Sequence, residues 1–128
     1  MSKIRYTSEI PEQQQFYNLF ETTGWNEKYR AEATEFAEAL RRSWKTVSAY
    51  SDDQLVGVGR IVSDGVLYGM IYDMIVHPQF QGHGIGSKIL SDLIEACQSA
   101  GIREIQLFSS VGKAAFYQRR GFQPRPQE

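Results

Sequence analysis

Few residues in this chain are able to do chemistry by type alone, and the informative feature is a spacing. In Met74-Ile75-Val76-His77-Pro78-Gln79-Phe80-Gln81-Gly82-His83-Gly84-Ile85-Gly86-Ser87 an apolar, strand-like run meets a proline stop and then a glycine-rich turn. That turn opens directly into a pattern of helical period. The first N–H groups of a helix lack intrahelical acceptors and lie at the positive end of the helix dipole. Glycine removes the side chains that would hold a diphosphate at a distance. Strand, bare turn and helix start therefore make an anion cradle. The spacing is not that of a phosphate loop, because no Gly-Lys-Ser/Thr closes it. Nor is it Gly-x-Gly-x-x-Gly, because the residue three past Gly84 is Ser87. Taken alone, such a turn also reads as a tight structural connection.

The elements that must position this turn follow from periodicity. Ile4-Arg5-Tyr6-Thr7 reads as a first strand ended by Pro11. Glu12 to about Thr22 carries Phe16, Leu19 and Phe20 at helical spacing, and Glu32 to Ser43 carries Ala33, Phe36, Ala37 and Leu40. The intervening Thr22-Thr23-Gly24-Trp25-Asn26 reads as a loop. The helical Phe residues are assigned to the core, whereas Trp25 and Tyr29 read equally as core or pocket wall. Trp44–Ser51, Leu55–Val62 and Val66–Val76 are three extended segments joined by turns at Asp52-Asp53 and Ser63-Asp64-Gly65, an antiparallel meander. Beyond the glycine turn, Ile85, Ile89, Leu90, Leu93, Ile94 and Cys97 mark one face of a helix that ends at Gly101. Ile102–Phe108 reads as a strand, Gly112–Arg120 as a short helix, and Phe122-Gln123-Pro124 as extended. The order β-α-α-β-β-β-α-β-α-β predicts an α/β sandwich with a mixed sheet.

The 128 residues suit one domain, 1–128, with its own core. The single cysteine, Cys97, sits at an apolar helical position, so it is assigned to the core and no metal site is expected. No apolar run reaches the length of a membrane span, and the N-terminus has no signal-peptide core; a cytoplasmic protein without membrane contact is expected. A net charge of −1 argues against a nucleic-acid partner. Residues 1–77 hold eight Lys/Arg and eleven Asp/Glu, a balance of −3; residues 78–128 hold six and four, a balance of +2. A basic C-terminal part suits a phosphorylated cofactor, and an acidic N-terminal part a cationic substrate.

The arrangement resembles the GNAT superfamily of acyl-CoA-dependent N-acetyltransferases. The family signature, Arg/Gln-x-x-Gly-x-Gly/Ala after a strand ending near Val-x-Pro, appears as Gln81-Gly82-His83-Gly84-Ile85-Gly86 after Val76-His77-Pro78. A second motif, Phe-Tyr-x-x-x-Gly-Phe, is matched by Phe116-Tyr117-Gln118-Arg119-Arg120-Gly121-Phe122. Within the superfamily the chain is most similar to small bacterial members and to plant serotonin-type enzymes. The resemblance implies a three-layer sandwich whose central, mostly antiparallel mixed sheet splays between the fourth and fifth strands. It implies acetyl-CoA as cosubstrate, its pantetheine arm lying along Met74, Ile75 and Val76 like an added strand. It places the pyrophosphate on the turn Gln81, Gly82, His83, Gly84, Ile85, Gly86 and Ser87. Ser110 stands where relatives often carry an asparagine that touches the pantetheine.

Direct acetyl transfer needs a deprotonated amine, a donor for the oxyanion and a proton for the leaving thiolate. The resemblance offers the Ile75 N–H for the oxyanion and Tyr117 as the acid; a tyrosine and a thiol have similar ordinary pKa values, so that transfer is not steeply uphill. Tyr117 also reads as a packing residue of its helix. Where many relatives carry a glutamate base this chain has Phe108. Asp73, the one acidic residue of its strand, is a candidate base or a structural hydrogen-bonder. His77 titrates in a useful range but precedes Pro78 in the turn, and His83 reads as solvent-facing or near phosphate. With no base, the proton leaves through water. A small-molecule primary amine is the expected acceptor, with Trp25, Tyr29, Trp44, Tyr68 and Tyr72 as candidate pocket walls. A protein N-terminus or lysine is the other acceptor class. A non-catalytic acyl-CoA-binding or protein-interaction module is the competing reading. The chain stops at Glu128, soon after Phe122, so a homodimer meeting through C-terminal segments is expected, unless Pro124 and Pro126 protect that edge.

Overall fold

The structure is a computed structural model, and it describes residues 3–125. Strands β1 (Ile4–Thr7), β2 (Lys45–Ser51), β3 (Gln54–Ser63), β4 (Tyr68–Val76) and β5 (Glu104–Leu107) form one sheet in sequential order. The first three pairings are antiparallel and β4 pairs with β5 in parallel. Helices α1 (Gln13–Glu21), α2 (Asn26–Tyr29) and α3 (Ala33–Arg41) precede the meander; α4 (Ile85–Ser99) and α5 (Ala114–Gln118) flank β5. Among the described residues no helix is long and apolar enough to cross a membrane.

The sheet is covered on both faces, as the three-layer expectation requires. On one side Phe16, Leu19 and Phe20 of α1 and Phe36 and Leu40 of α3 pack with Leu55, Val58 and Ile75. Phe20 and Phe36 stack with ring centroids 4.4 Å apart. On the other side Ile85, Ile89, Leu90, Leu93 and Cys97 of α4 pack with Val47, Ala49, Ile61 and Ile71. The helices start where local chemistry predicts. Glu12 caps α1 by accepting from the N–H groups of Gln14 (2.7 Å) and Gln15 (3.2 Å). At α3 the Glu35 side chain accepts from the Glu32 N–H at 2.9 Å.

Two features of β3 and β4 shape the site. Between the pairs Val58↔Ile75 and Arg60↔Tyr72, the two residues Asp73 and Met74 face Gly59 alone. This β-bulge has Asp73 at φ 56°, a left-handed conformation that aspartate tolerates better than bulky residues. Arg60 Nε donates to the Asp73 carboxylate at 2.7 Å across the bulge. A Cβ on Gly59 would lie 2.7 Å from Met74 Sδ and 2.9 Å from Ile89 and Leu93, so only glycine lets β3, the bulge and α4 approach so closely. The second feature is the splay. Pairing of β4 with β5 ends at Ile71↔Leu107, while β4 runs on to Val76 with no partner on that side.

The structure corrects the sequence expectation in four places. A short helix, α2, occupies part of the expected loop and its sequel. The strand expected over 102–108 is confined to Glu104–Leu107, because past the splay Phe108 has no strand to pair with and stands 81% exposed. The helix expected over 112–120 is the shorter Ala114–Gln118. Phe122-Gln123-Pro124 forms no strand, since no neighbouring strand offers it a ladder; Pro126 and Glu128 lie outside the described residues.

Candidate active site

The splay opens a cavity of about 520 Å³ between the end of β4 and α5. Met74, Ile75 and Val76 form one wall, Gln81, Gly82, Gly84, Ile85, Gly86 and Ser87 the floor at the start of α4, and Phe116 and Tyr117 the opposite wall. Ser110 also lines it, its carbonyl accepting from the Lys113 N–H at 3.0 Å. The cavity extends to Thr22, Thr23 and Trp25 at the end of α1.

The floor has the properties the glycine spacing predicts. Gly82 and Gly84 both have φ 83°, and neither would meet an atom within 4 Å if a Cβ were added. The space beside them is open, so no neighbouring atom excludes a side chain and the left-handed backbone is what favours glycine. Gly84 is the N-cap of α4 with no side-chain cap, and the first intrahelical bond runs from Lys88 N to Gly84 O at 3.1 Å. The N–H groups of residues 82–87 therefore have no acceptor among the described residues. A Cβ on Gly86 would touch Val76 at 3.5 Å and Phe116 at 3.6 Å, narrowing the junction of wall and floor. Among the described residues no carboxylate lines this cavity, whereas Lys113 and Arg120 do. Bare amides, a helix dipole and uncompensated cations fit a diphosphate.

The other nominated residues fall into distinct positions. Gln81 acts as a strut, its side-chain amide donating to the Val76 carbonyl at 3.0 Å. His77 N bonds the Val56 carbonyl at 2.8 Å, so the His77 and, by strand alternation, the Ile75 N–H point at β3. The backbone of Val76 faces the opening instead. His77 Nδ1 accepts from the Gln79 N–H at 3.1 Å, capping the 3-10 turn Pro78–Phe80. His83 is exposed and its side chain is not part of the cavity wall. Asp73 also lies outside the wall, its carboxylate engaged by Arg60. Of the aromatic candidates only Trp25 reaches the cavity, held edge-on against Phe20 at 5.8 Å; Trp44, Tyr68 and Tyr72 lie on the uncovered part of the sheet and Tyr29 is 63% exposed.

Tyr117 packs edge-on against Phe116 (5.1 Å) and Phe122 (6.0 Å). Burial pushes its hydroxyl above the ordinary tyrosine pKa. It is thus a neutral O–H donor at neutral pH. Sequence reasoning missed Arg120 and Lys113 as wall residues, and Thr22 and Thr23 as the far rim. The net positive charge of residues 78–128 was the only signal for the two cations, and the two threonines had none.

Comparison with known proteins agrees with this geometry. The family described as acetyltransferase (GNAT) domain matches residues 7–128. A ycf52-like N-acetyltransferase of Prochlorococcus marinus, itself uncharacterized, is 29% identical over 113 residues. That alignment covers 85% of this chain and 61% of the relative, so the chain spans less than two thirds of that protein's length. Among solved structures, a Staphylococcus aureus protein described as a probable acetyltransferase superposes with a TM-score of 0.85 at 23% identity, covering 95% of this chain and 91% of that one. A GNAT-family acetyltransferase of Brucella melitensis, solved in complex with acetyl-CoA, superposes with a TM-score of 0.74 at 22% identity, covering 97% and 85%. With the family matched over nearly its whole length, the chain belongs to the GNAT acetyltransferases.

Proposed function

We propose that this protein transfers the acetyl group of acetyl-CoA to a primary amine of a small molecule by direct attack. The observation that carries the reading is a single cavity joining the unpaired amides of residues 82–87, the free edge of β4 and the Tyr117 wall. In this reading the diphosphate rests on the turn and the pantetheine arm runs along Met74–Val76. The acceptor enters from Thr22, Thr23 and Trp25. The amine nitrogen attacks the thioester carbonyl, a C–N bond forms, and the C–S bond breaks. Because Ile75 N–H is aimed at β3, the oxyanion role passes to the Val76 N–H, which faces the opening. Among the described residues no carboxylate or histidine lines the cavity, so the first ammonium proton leaves to water before attack. Tyr117 gives its proton to the thiolate and is reprotonated, through water, by the second proton that nitrogen releases as the amide forms.

The expected result is acceptor-dependent release of free thiol from acetyl-CoA when the protein is presented with arylalkylamines, polyamines, amino acids and lysine peptides. Thiol release confined to lysine peptides or protein N-termini would replace the small-molecule acceptor with a protein one. Tight acetyl-CoA binding with no turnover on any acceptor would favour the non-catalytic module. A cytoplasmic location belongs to the same proposal. So does a homodimer, supported by the outer edge of β5, which pairs with no strand among the described residues. Light scattering is expected to give a mass of two chains; one-chain mass well above micromolar concentration would end the dimer.

A further inference from the structure

We propose that Arg120 is a further cofactor-binding residue, a guanidinium preset beside the start of α4 to contact the diphosphate of acetyl-CoA. The inference rests on the reading of the cavity given above. Arg120 lies just past α5, and three contacts fix its head group, two to Phe116 of α5 and one to Ser87 of α4. Its Nη1 donates to the Phe116 carbonyl at 2.8 Å. Its Cζ lies 3.8 Å from the centre of the Phe116 ring. Its Nη2 donates to the Ser87 hydroxyl. Ser87 is the third residue of α4 and contributes one of the unpaired N–H groups of the floor.

Arg120 forms no salt bridge among the described residues, and the cavity it lines contains no carboxylate. The other cation of the wall, Lys113, is solvent-exposed. Arg120 is half-buried and tethered, so little side-chain freedom is lost when an anion arrives. A guanidinium has five N–H donors in a fixed fork. The two contacts above use one donor each and leave three for phosphate oxygens. Arginine suits that geometry better than lysine because its fork meets two oxygens at once. Pinning α5 to α4 is the purely structural alternative.

Calorimetric titration of the full chain with coenzyme A and with 3′-dephospho-coenzyme A separates these roles. Arg120→Met keeps an unbranched apolar chain over Phe116 and removes the charge; Arg120→Lys keeps the charge and loses the fork. The Met variant is expected to bind both compounds about tenfold more weakly than wild type, the scale of one charge-assisted contact in a partly wet site. The Lys variant is expected to recover roughly half of that loss on a logarithmic scale. Ligand-free melting temperatures of both variants are expected to stay near wild type. Unchanged affinity in Arg120→Met overturns the proposal. So does a loss seen with coenzyme A but absent with the 3′-dephospho compound, which would move the guanidinium to the 3′-phosphate. A Lys variant as impaired as Met, with both melting well below wild type, assigns Arg120 to structure alone. Wild-type protein that binds neither compound fails the functional reading itself, a result distinct from the other three.

Discussion

Replacing Gly84 with glutamate is expected to abolish acetyl-CoA binding, and this is the largest single effect anticipated at the site. Gly84 is the left-handed N-cap of α4, and open space lies where its Cβ would be. A carboxylate there competes for the amides that are proposed to hold phosphate. Two like charges about 4 Å apart near a protein surface repel by roughly 4 kcal/mol, so the affinity is expected to fall by at least about a hundredfold even after partial screening. A second cost is conformational, since a side chain in the left-handed region adds about 1–2 kcal/mol of strain. Gly84→Asn separates the two, because asparagine tolerates that region and carries no charge. Calorimetry is expected to rank wild type above Gly84→Asn and Gly84→Asn well above Gly84→Glu. Equal affinity of wild type and Gly84→Glu would remove the turn from the binding site.

The glycine turn was legible from sequence because its chemistry is local. Three glycines, a preceding strand and a following amphipathic helix are contiguous, and the fold adds only their placement. The same holds for the meander, whose alternation and turn residues specify antiparallel neighbours without any distant contact. Features that depend on distant residues were not legible. Helix α2 is too short for a periodic signal; Asn26 supports it by accepting from the Ala31 N–H at 2.8 Å and donating to the Ala31 carbonyl at 3.0 Å. The bulge at Asp73 is set by Arg60 on the neighbouring strand, and from sequence the same carboxylate reads equally as a base. Trp44, Tyr68 and Tyr72 looked like pocket walls because alternation assigns a face but does not say where the covering helices stop. Arg120 reads as one basic residue among several until α5 brings it to Ser87. The contacts that complete the cavity are long-range, whereas the turn proposed to hold the anion is a run of adjacent residues.

Tyr117→Phe is expected to lower kcat by roughly a hundredfold, the low end of general acid catalysis, while leaving acetyl-CoA affinity within about twofold. The substitution is well suited to the question, since the ring contacts with Phe116 and Phe122 survive and only the hydroxyl is lost. Protonation of the thiolate occurs after the coenzyme is bound, so its removal appears in kcat rather than in binding. The pH dependence gives an independent readout. Burial raises the Tyr117 pKa above its ordinary 10.0, so the acid stays protonated through the neutral and mildly alkaline range. Wild-type rates are expected to climb with pH as the acceptor amine loses its proton, then to fall where Tyr117 ionises. The variant, with nothing to ionise there, is expected to lack that fall. The same shift has a consequence for stability. The unfolded chain releases the tyrosine proton first, so the stabilisation from burying the neutral hydroxyl is complete below the unfolded pKa. It is lost as pH rises from about 10 through the folded value. Alkaline denaturation of Tyr117→Phe is therefore expected to show a shallower loss of stability above about pH 10 than wild type. A variant that turns over at the wild-type rate with the best acceptor would transfer thiolate protonation from Tyr117 to solvent.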